Sequence, residues 1–383
     1  MKKTSTRLAD GRELVYFDFA GGVAHELHDR RELEPAGTES EVRYDAVMDE
    51  WVVVASHRQG RTYLPPPDQC PLCPSRDGRL TEIPSADYEV VVFENRFPSL
   101  TSSGPATAAA VTPLTARRPG LGRCEVVCFT SDHDGALARL DRRRLRLIVY
   151  VWADRTAELS RLPFVEQVMP FENRGEQIGV TLSHPHGQVY GYPFVTPRMA
   201  RMLDSARRHA AGPGGCLFCA VVAAEREAAS RVVATAPGWV SFVPAAARWP
   251  FELHLYPERH VPDLTALDDQ GREGLAVVLG DALRRFDCLV GDPTPYVLAC
   301  QQAPVRQDRA LGHLHFELTT PRRAGSKLKY LAGSETGAGV FINDVLPEVA
   351  AERLRGAMRG EKEDDPPHPD PPPPGGRELK EEG

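Results

Sequence analysis

Nowhere in this 383-residue chain do about 18 consecutive residues run apolar and uncharged, so no membrane-spanning helix is expected. No apolar stretch follows Met1-Lys2-Lys3-Thr4-Ser5-Thr6-Arg7 either. A secretory leader is therefore not readable, and a cytoplasmic protein without membrane contact is expected. A large surplus of one charge is also missing. The net charge of −7 is small against 46 basic and 53 acidic residues, and 8 of those acids lie beyond residue 360. Such a body has no long-range field to gather nucleic acid or anionic lipid, so a nucleic-acid partner is not expected and any phosphate site must be local. Apolar side chains suffice for two ordinary cores or one large composite core. The tail over 359–383, with Pro366, Pro367, Pro369 and Pro371–Pro374 before Gly375-Gly376, cannot pack and is expected to be disordered.

Eight cysteines are present, but a reduced compartment argues against four disulfides. Cys124, Cys128, Cys288 and Cys300 stand singly among apolar residues and read as core packing. Cys70-Pro71-Leu72-Cys73 and Cys216-Leu217-Phe218-Cys219 are close pairs. Each is followed by a single histidine and then by a His-x-His. Cys70, Cys73, His133 and His184 repeat as Cys216, Cys219, His260 and His313, with 51 and 53 residues between the last two members. Agreement in type, order and spacing points to a duplicated unit. Two thiolates and two imidazoles make a closed tetrahedral zinc site, structural because no coordination position is left for a water.

The strand and helix patterns repeat as well. Strands are expected at Glu13–Phe19, Trp51–Ala55, Tyr88–Phe93, Glu125–Phe129 and Gly187–Tyr192, with helices at Asp141–Leu162 and Arg198–Ala211. After the Gly212-Pro213-Gly214-Gly215 breaker come strands at Trp239–Val243, Phe251–Tyr256, Tyr296–Ala299 and His313–Leu318. Helices fall at Asp268–Phe286 and Leu346–Met358. The expectation is an α+β fold of two duplicated units of mainly antiparallel sheet with packed helices. Residues 1–42 form an extension, 43–211 a catalytic unit, 212–358 a supporting unit and 359–383 the tail.

His184-Pro185-His186-Gly187-Gln188 carries the chemistry. Strand alternation would set His184, His186 and Gln188 on one face. A neutral imidazole at His186 can attack phosphorus and form a phosphoramidate that a second nucleophile displaces. Gly187 would let backbone approach the phosphate, and the Gln188 amide can donate to phosphoryl oxygens without shuttling protons to water.

This segment, preceded by Phe171-Glu172-Asn173-Arg174-Gly175, resembles the active-site region of the galactose-1-phosphate uridylyltransferase family, in the transferase branch of the histidine-triad superfamily. Asp49-Glu50-Trp51, His57-Arg58-Gln59-Gly60-Arg61, Cys70-Pro71-Leu72-Cys73-Pro74, Cys128–His133, Trp249-Pro250-Phe251-Glu252, Arg259-His260-Val261 and Lys327–Glu335 follow in the family's order, over roughly residues 43–358. The resemblance implies a histidine-triad-like fold. It also implies exchange between UDP-glucose and galactose 1-phosphate through a uridylylated His186, by a ping-pong route. Arg58 and Arg61 would contact phosphates, Asn173 the nucleotide phosphates, and Phe93 and Asn95 the uridine. Lys329 and Glu335 match a hexose-binding segment supplied by a neighbouring subunit, which implies a homodimer. A histidine- and glutamate-bound iron site of some members is not expected, because Gln301 stands at its first histidine and no glutamate lies near Met202. Glu317 stands where the repeat would place a second Gln188, so one catalytic half is expected. Two other readings remain: a nucleotide phosphorylase acting on ADP-glucose or a diadenosine polyphosphate, and a non-catalytic nucleotide-binding zinc module.

Overall fold

A computed structural model describes residues 1–19, 24–34, 40–60, 64–102, 112–212, 214–290, 293–325 and 327–359; Arg61 and the Pro-rich tail beyond 359 lie outside them. In chain order the first half runs β1 (Lys2–Arg7), β2 (Glu13–Asp18), β3 (Glu41–Asp45), β4 (Glu50–Val54), β5 (Val90–Glu94), β6 (Arg117–Pro119), β7 (Arg123–Cys128), α1 (Arg142–Ser160), β8 (Gln167–Arg174), β9 (His186–Tyr192) and α2 (Pro197–Ala211). The second half runs α3 (Leu217–Ala228), β10 (Val232–Ala236), β11 (Trp239–Phe242), β12 (Phe251–Pro257), α4 (Asp269–Cys288), β13 (Tyr296–Gln301), β14 (His315–Thr320) and α5 (Pro347–Ala357).

Eleven strands form one antiparallel sheet in the order β1-β2-β5-β7-β9-β8-β13-β14-β12-β11-β10. Both halves thread it alike. β5, β7, α1, β8 and β9 correspond in order to β11, β12, α4, β13 and β14, and β8 meets β13 at the seam. The duplication expected from the metal-capable residues is therefore a repeat of topology.

Helices α1 and α4 lie together against one face of the sheet. Asp141 and Asp268 start them, each carboxylate accepting from a backbone N–H of the first turn, Arg144 at 2.7 Å and Gly271 at 2.7 Å. Leu145, Ile148, Val149 and Trp152 of α1 and Leu275, Leu279, Leu283 and Phe286 of α4 are buried in the main core. Each such side chain contributes about 1.5–3 kcal/mol by leaving water. The opposite face carries smaller apolar clusters and the polar sites.

Several expectations change. The N-terminal residues contribute to the sheet and its core: β2 pairs with β5, and Leu14, Val15, Tyr16 and Phe17 are at most 1% exposed. Strands β1, β3, β6, β8 and β10 and helix α3 had not been read from the sequence. β1 is polar and mostly exposed at the sheet edge, so it lacks an apolar stripe. Cys288 ends α4 and is exposed, whereas Cys124, Cys128 and Cys300 are buried as expected. His184 and His313 both precede their strands, which begin at His186 and His315.

Candidate active site

The pocket opens on β9. His186 lies opposite Cys128 of β7, and Gln188 lies between Val126 of β7 and Phe171 of β8. Alternation aims His186 and Gln188 to the same side, where they line a cleft of about 300 Å³ with Arg58, Phe93, Asn95 and Asn173. Leu72, Val126 and Leu182 supply apolar wall. Six of the expected site residues thus converge; Arg61 lies outside the described residues.

The tautomer of His186 is fixed by its neighbour. Its Nδ1 sits 2.8 Å from the His184 carbonyl, which can only accept, so Nδ1 carries the hydrogen and Nε2 keeps its lone pair. Burial pulls the pKa of His186 below the ordinary histidine value and outweighs that hydrogen bond, which favours the neutral ring, the form able to attack an electrophile. Gly187 points the other way. A Cβ there would lie 2.7 Å from Phe129 Cζ and 2.8 Å from the Phe171 carbonyl oxygen. The glycine is required by packing beneath the sheet and not, as the sequence suggested, by approach of backbone to phosphate.

His184 turns away from the cleft. Its Nε2 donates to the Thr130 carbonyl at 2.9 Å, leaving the Nδ1 lone pair directed at Cys73 Sγ, 3.6 Å away. His133 Nδ1 is 3.3 Å from the same sulfur. The ligand atoms of Cys70, Cys73, His133 and His184 all lie within 4.8 Å of one another. A tetrahedron with sulfur at about 2.3 Å and nitrogen at about 2.0 Å from zinc has sulfur–nitrogen edges of roughly 3.5 Å, so the donors fit that ion in type and spacing. Burial lowers His184 to about 4, which keeps it neutral as a ligand must be.

Cys216, Cys219, His260 and His313 make a second group of the same span. His313 Nδ1 lies 3.5 Å from Cys216 Sγ and 3.6 Å from Cys219 Sγ. Both cysteines belong to the start of α3, with Cys216 at its N-cap. His315 copies the tautomer of His186, its Nδ1 lying 3.0 Å from the His313 carbonyl. Its Nε2 is closed off, however. Tyr256 stacks on the ring with centroids 4.5 Å apart, and Glu317 Oε1 is 3.6 Å from that nitrogen. Burial works against the Glu317 charge, but His315, His254 and Arg198 outweigh it and hold the carboxylate far below its usual range. A buried anion beside the ring repels phosphate, so His315 Nε2 lacks the open setting of His186 Nε2.

Lys329 and Glu335 are not in the His186 cleft. Lys329 Nζ donates to the Arg248 carbonyl at 2.9 Å and lies 3.5 Å from Glu335 Oε1. Sequence reasoning missed Glu82, Arg96, Phe97 and Tyr190, which also line the cleft. Glu82 falls in the loop between Cys73 and β5, where no periodicity marks a side chain as inward.

Residues 30–196 match the family model "Galactose-1-phosphate uridyl transferase, N-terminal domain", and 202–365 match that of its C-terminal domain. The galactose-1-phosphate uridylyltransferase of Streptomyces lividans is 48% identical over 374 residues, covering 93% of this chain and 98% of that protein. The Thermotoga maritima protein of the same name is 37% identical over 317 residues, covering 82% and 98%. A solved structure of a uridylyltransferase superposes with a TM-score of 0.73 at 32% identity, covering 83% of this chain and 98% of that one. Sharing nearly half its residues with one such protein across almost that protein's full length, the chain belongs to the galactose-1-phosphate uridylyltransferase family.

Proposed function

We propose that this chain exchanges UDP-glucose and galactose 1-phosphate for glucose 1-phosphate and UDP-galactose by two displacements at His186. The observation that carries the reading is the Nδ1–H bond to the His184 carbonyl, which leaves Nε2 lone in the cleft. In the first step Nε2 bonds to the α-phosphorus, and the bond to the bridging oxygen breaks, releasing glucose 1-phosphate. The ring becomes cationic, and its bond to the His184 carbonyl strengthens as a charge-assisted one. In the second step a phosphate oxygen of galactose 1-phosphate attacks the same phosphorus and frees Nε2. No proton has to move. The Gln188 amide donates to the phosphoryl oxygens as charge develops. Asn173, Arg58 and Arg61 hold phosphates, and Phe93 and Asn95 the uridine.

Zinc is the ion proposed for both Cys/His groups, where it supplies rigid cross-links between loops. A homodimer is proposed to bring the Lys329–Glu335 segment to the partner's hexose. In support, Tyr330, Val340 and Ile342 beside it are 75%, 58% and 57% exposed, a patch of apolar surface suited to a second copy. A cytoplasmic setting is proposed from the reduced thiol pairs; among the described residues, no helix is long and apolar enough to cross a membrane.

Incubation with UDP-glucose labelled in the uridine should leave an acid-labile label on the wild type and none on H186A. A two-substrate assay, offering UDP-glucose or ADP-glucose with galactose 1-phosphate or inorganic phosphate, should show turnover only for the uridine donor with the sugar phosphate. Unlabelled wild type, or turnover restricted to phosphate as acceptor, refutes the proposal.

A further inference from the structure

Among the described residues lining the cleft, Glu82 alone carries a carboxylate. A carboxylate is an unfavourable neighbour for a nucleotide's phosphates, and its side chain is only 6% exposed. Its surroundings nevertheless keep it charged. Arg12 Nη2 donates to Oε2 at 2.5 Å, and Arg31 Nη1 donates to Oε1 at 2.8 Å. Burial pushes Glu82 upward, but Arg12 and Arg31 outweigh it and hold the group below the ordinary glutamate value.

Both arginines are themselves fixed. Arg12, 2% exposed in its side chain, is bound by Asp10 at 2.7 Å and donates to the Glu94 carbonyl at 2.8 Å, next to Asn95 of the cleft. Arg31 grips Asp29 through Nε and Nη2, at 2.9 and 2.7 Å, and Asp29 accepts from the Ala9 backbone at 3.0 Å. Three carboxylates thus face two guanidiniums, Arg12 buried and Arg31 11% exposed in its side chain. Arg96 balances the set only loosely, at 3.5 Å and with its side chain 47% exposed.

We propose that Glu82 binds the ribose hydroxyls of the nucleotide, and that Arg12 and Arg31 are its positioning residues, which makes the N-terminal segment a working part of the pocket. This deepens the nucleotidyl-transfer reading and rests on it. Arg12 takes one lone pair of Oε2 and Arg31 one of Oε1; the second site on Oε2 is left to a ligand, and that on Oε1 is held only by the long 3.5 Å contact of half-exposed Arg96, which a hydroxyl can displace. Vicinal ribose hydroxyls are a matching pair of donors, present whatever the base. The phosphates belong instead near the uncharged His186, Gln188 and Asn173. An acidic side chain bonded to a ribose hydroxyl is a recurrent solution in nucleotide sites.

The test is calorimetric binding to the zinc-loaded full chain of UMP and of 2′,3′-dideoxyuridine monophosphate, with the matching adenosine pair alongside. Wild type should favour the ribonucleotide by about 10- to 100-fold, the range for hydrogen bonds to a charged acceptor. E82Q should reduce that preference to about 3-fold or less through weaker ribonucleotide binding, with the dideoxy affinity unchanged. R12M should lose most of the preference and R12K recover part of it, whereas a merely structural role would weaken both ligands equally. Zinc content and thermal unfolding check each variant, and R31K decides the matter if E82Q does not fold: a preference equal to that of wild type refutes the proposal. So does an unchanged preference in E82Q, or none in wild type. Ribose-dependent binding without label on His186 upholds the ribose site and sinks the transfer reading. Label without ribose preference does the reverse, and absence of binding by either base overturns both.

Discussion

At the scale of single residues, His186 and Gly187 illustrate two different constraints on adjacent positions. His186 is held by one hydrogen bond to the His184 carbonyl, and Gly187 by lack of room below the sheet. Of the atoms a Cβ at 187 would meet, the Phe129 ring can shift but the Phe171 carbonyl belongs to β8. G187A should therefore destabilise the protein by about 1–3 kcal/mol, read as a lower unfolding midpoint at unchanged zinc content. Mild, phosphate-specific loss of binding with full stability would instead restore the sequence-based account of this glycine. That account went astray because a string of residues shows which side chain is absent and not which face the absence serves. The proposed nucleophile was legible because its motif is local: five consecutive residues hold His184, which turns to the Cys/His group, and His186 and Gln188, which line the cleft. Glu82 was not, since its meaning comes from Arg12 and Arg31, 70 and 51 residues away.

At the scale of elements, the long amphipathic helices and apolar strands were readable, and the omissions share a cause. α3 begins inside the second Cys-x-x-Cys, so the metal-capable pattern concealed a helix that starts at Cys216. β8 has no clean alternation, with Glu172, Asn173 and Arg174 consecutive at its end, and its neighbour β13 is distant in sequence. Glu172 is buried at that seam and accepts from Tyr296 Oη at 2.7 Å. Burial raises its pKa to about 7, against the smaller lowering effects of Tyr296 and Arg174. A carboxyl with a raised folded-state pKa contributes stability that is fully present below its unfolded value, near 4.5, and is lost as pH rises through 7. Wild type should accordingly lose on the order of 3 kcal/mol relative to E172Q between pH 4.5 and 7 in urea titrations. Parallel pH profiles for the two proteins would show that Glu172 is charged throughout. For α3, C216S should lower the zinc content from two ions per chain to one and loosen the helix, seen as faster amide exchange over 217–228. Unchanged metal content would remove the second site.

At the scale of the whole molecule, the repeated order of ligands in the sequence anticipated the duplication, whereas the joining of both halves into one sheet was not visible. That joining depends on β8 and β13 as adjacent antiparallel strands, and hydrogen bonding between distant backbones leaves no signature in residue order. The N-terminal hairpin was likewise underrated, because β1 is polar and its burial is supplied by β2.

The seam between β8 and β13 has a consequence for descent. Two identical subunits pairing edge to edge would give this strand order, palindromic apart from the added edge strand β1, but in such an assembly every mutation strikes both sites at once. Fusion into one chain removes that coupling. With transfer at His186 as proposed, one copy can keep its glutamine while the other accepts Glu317 and drifts towards scaffolding without costing the organism its chemistry.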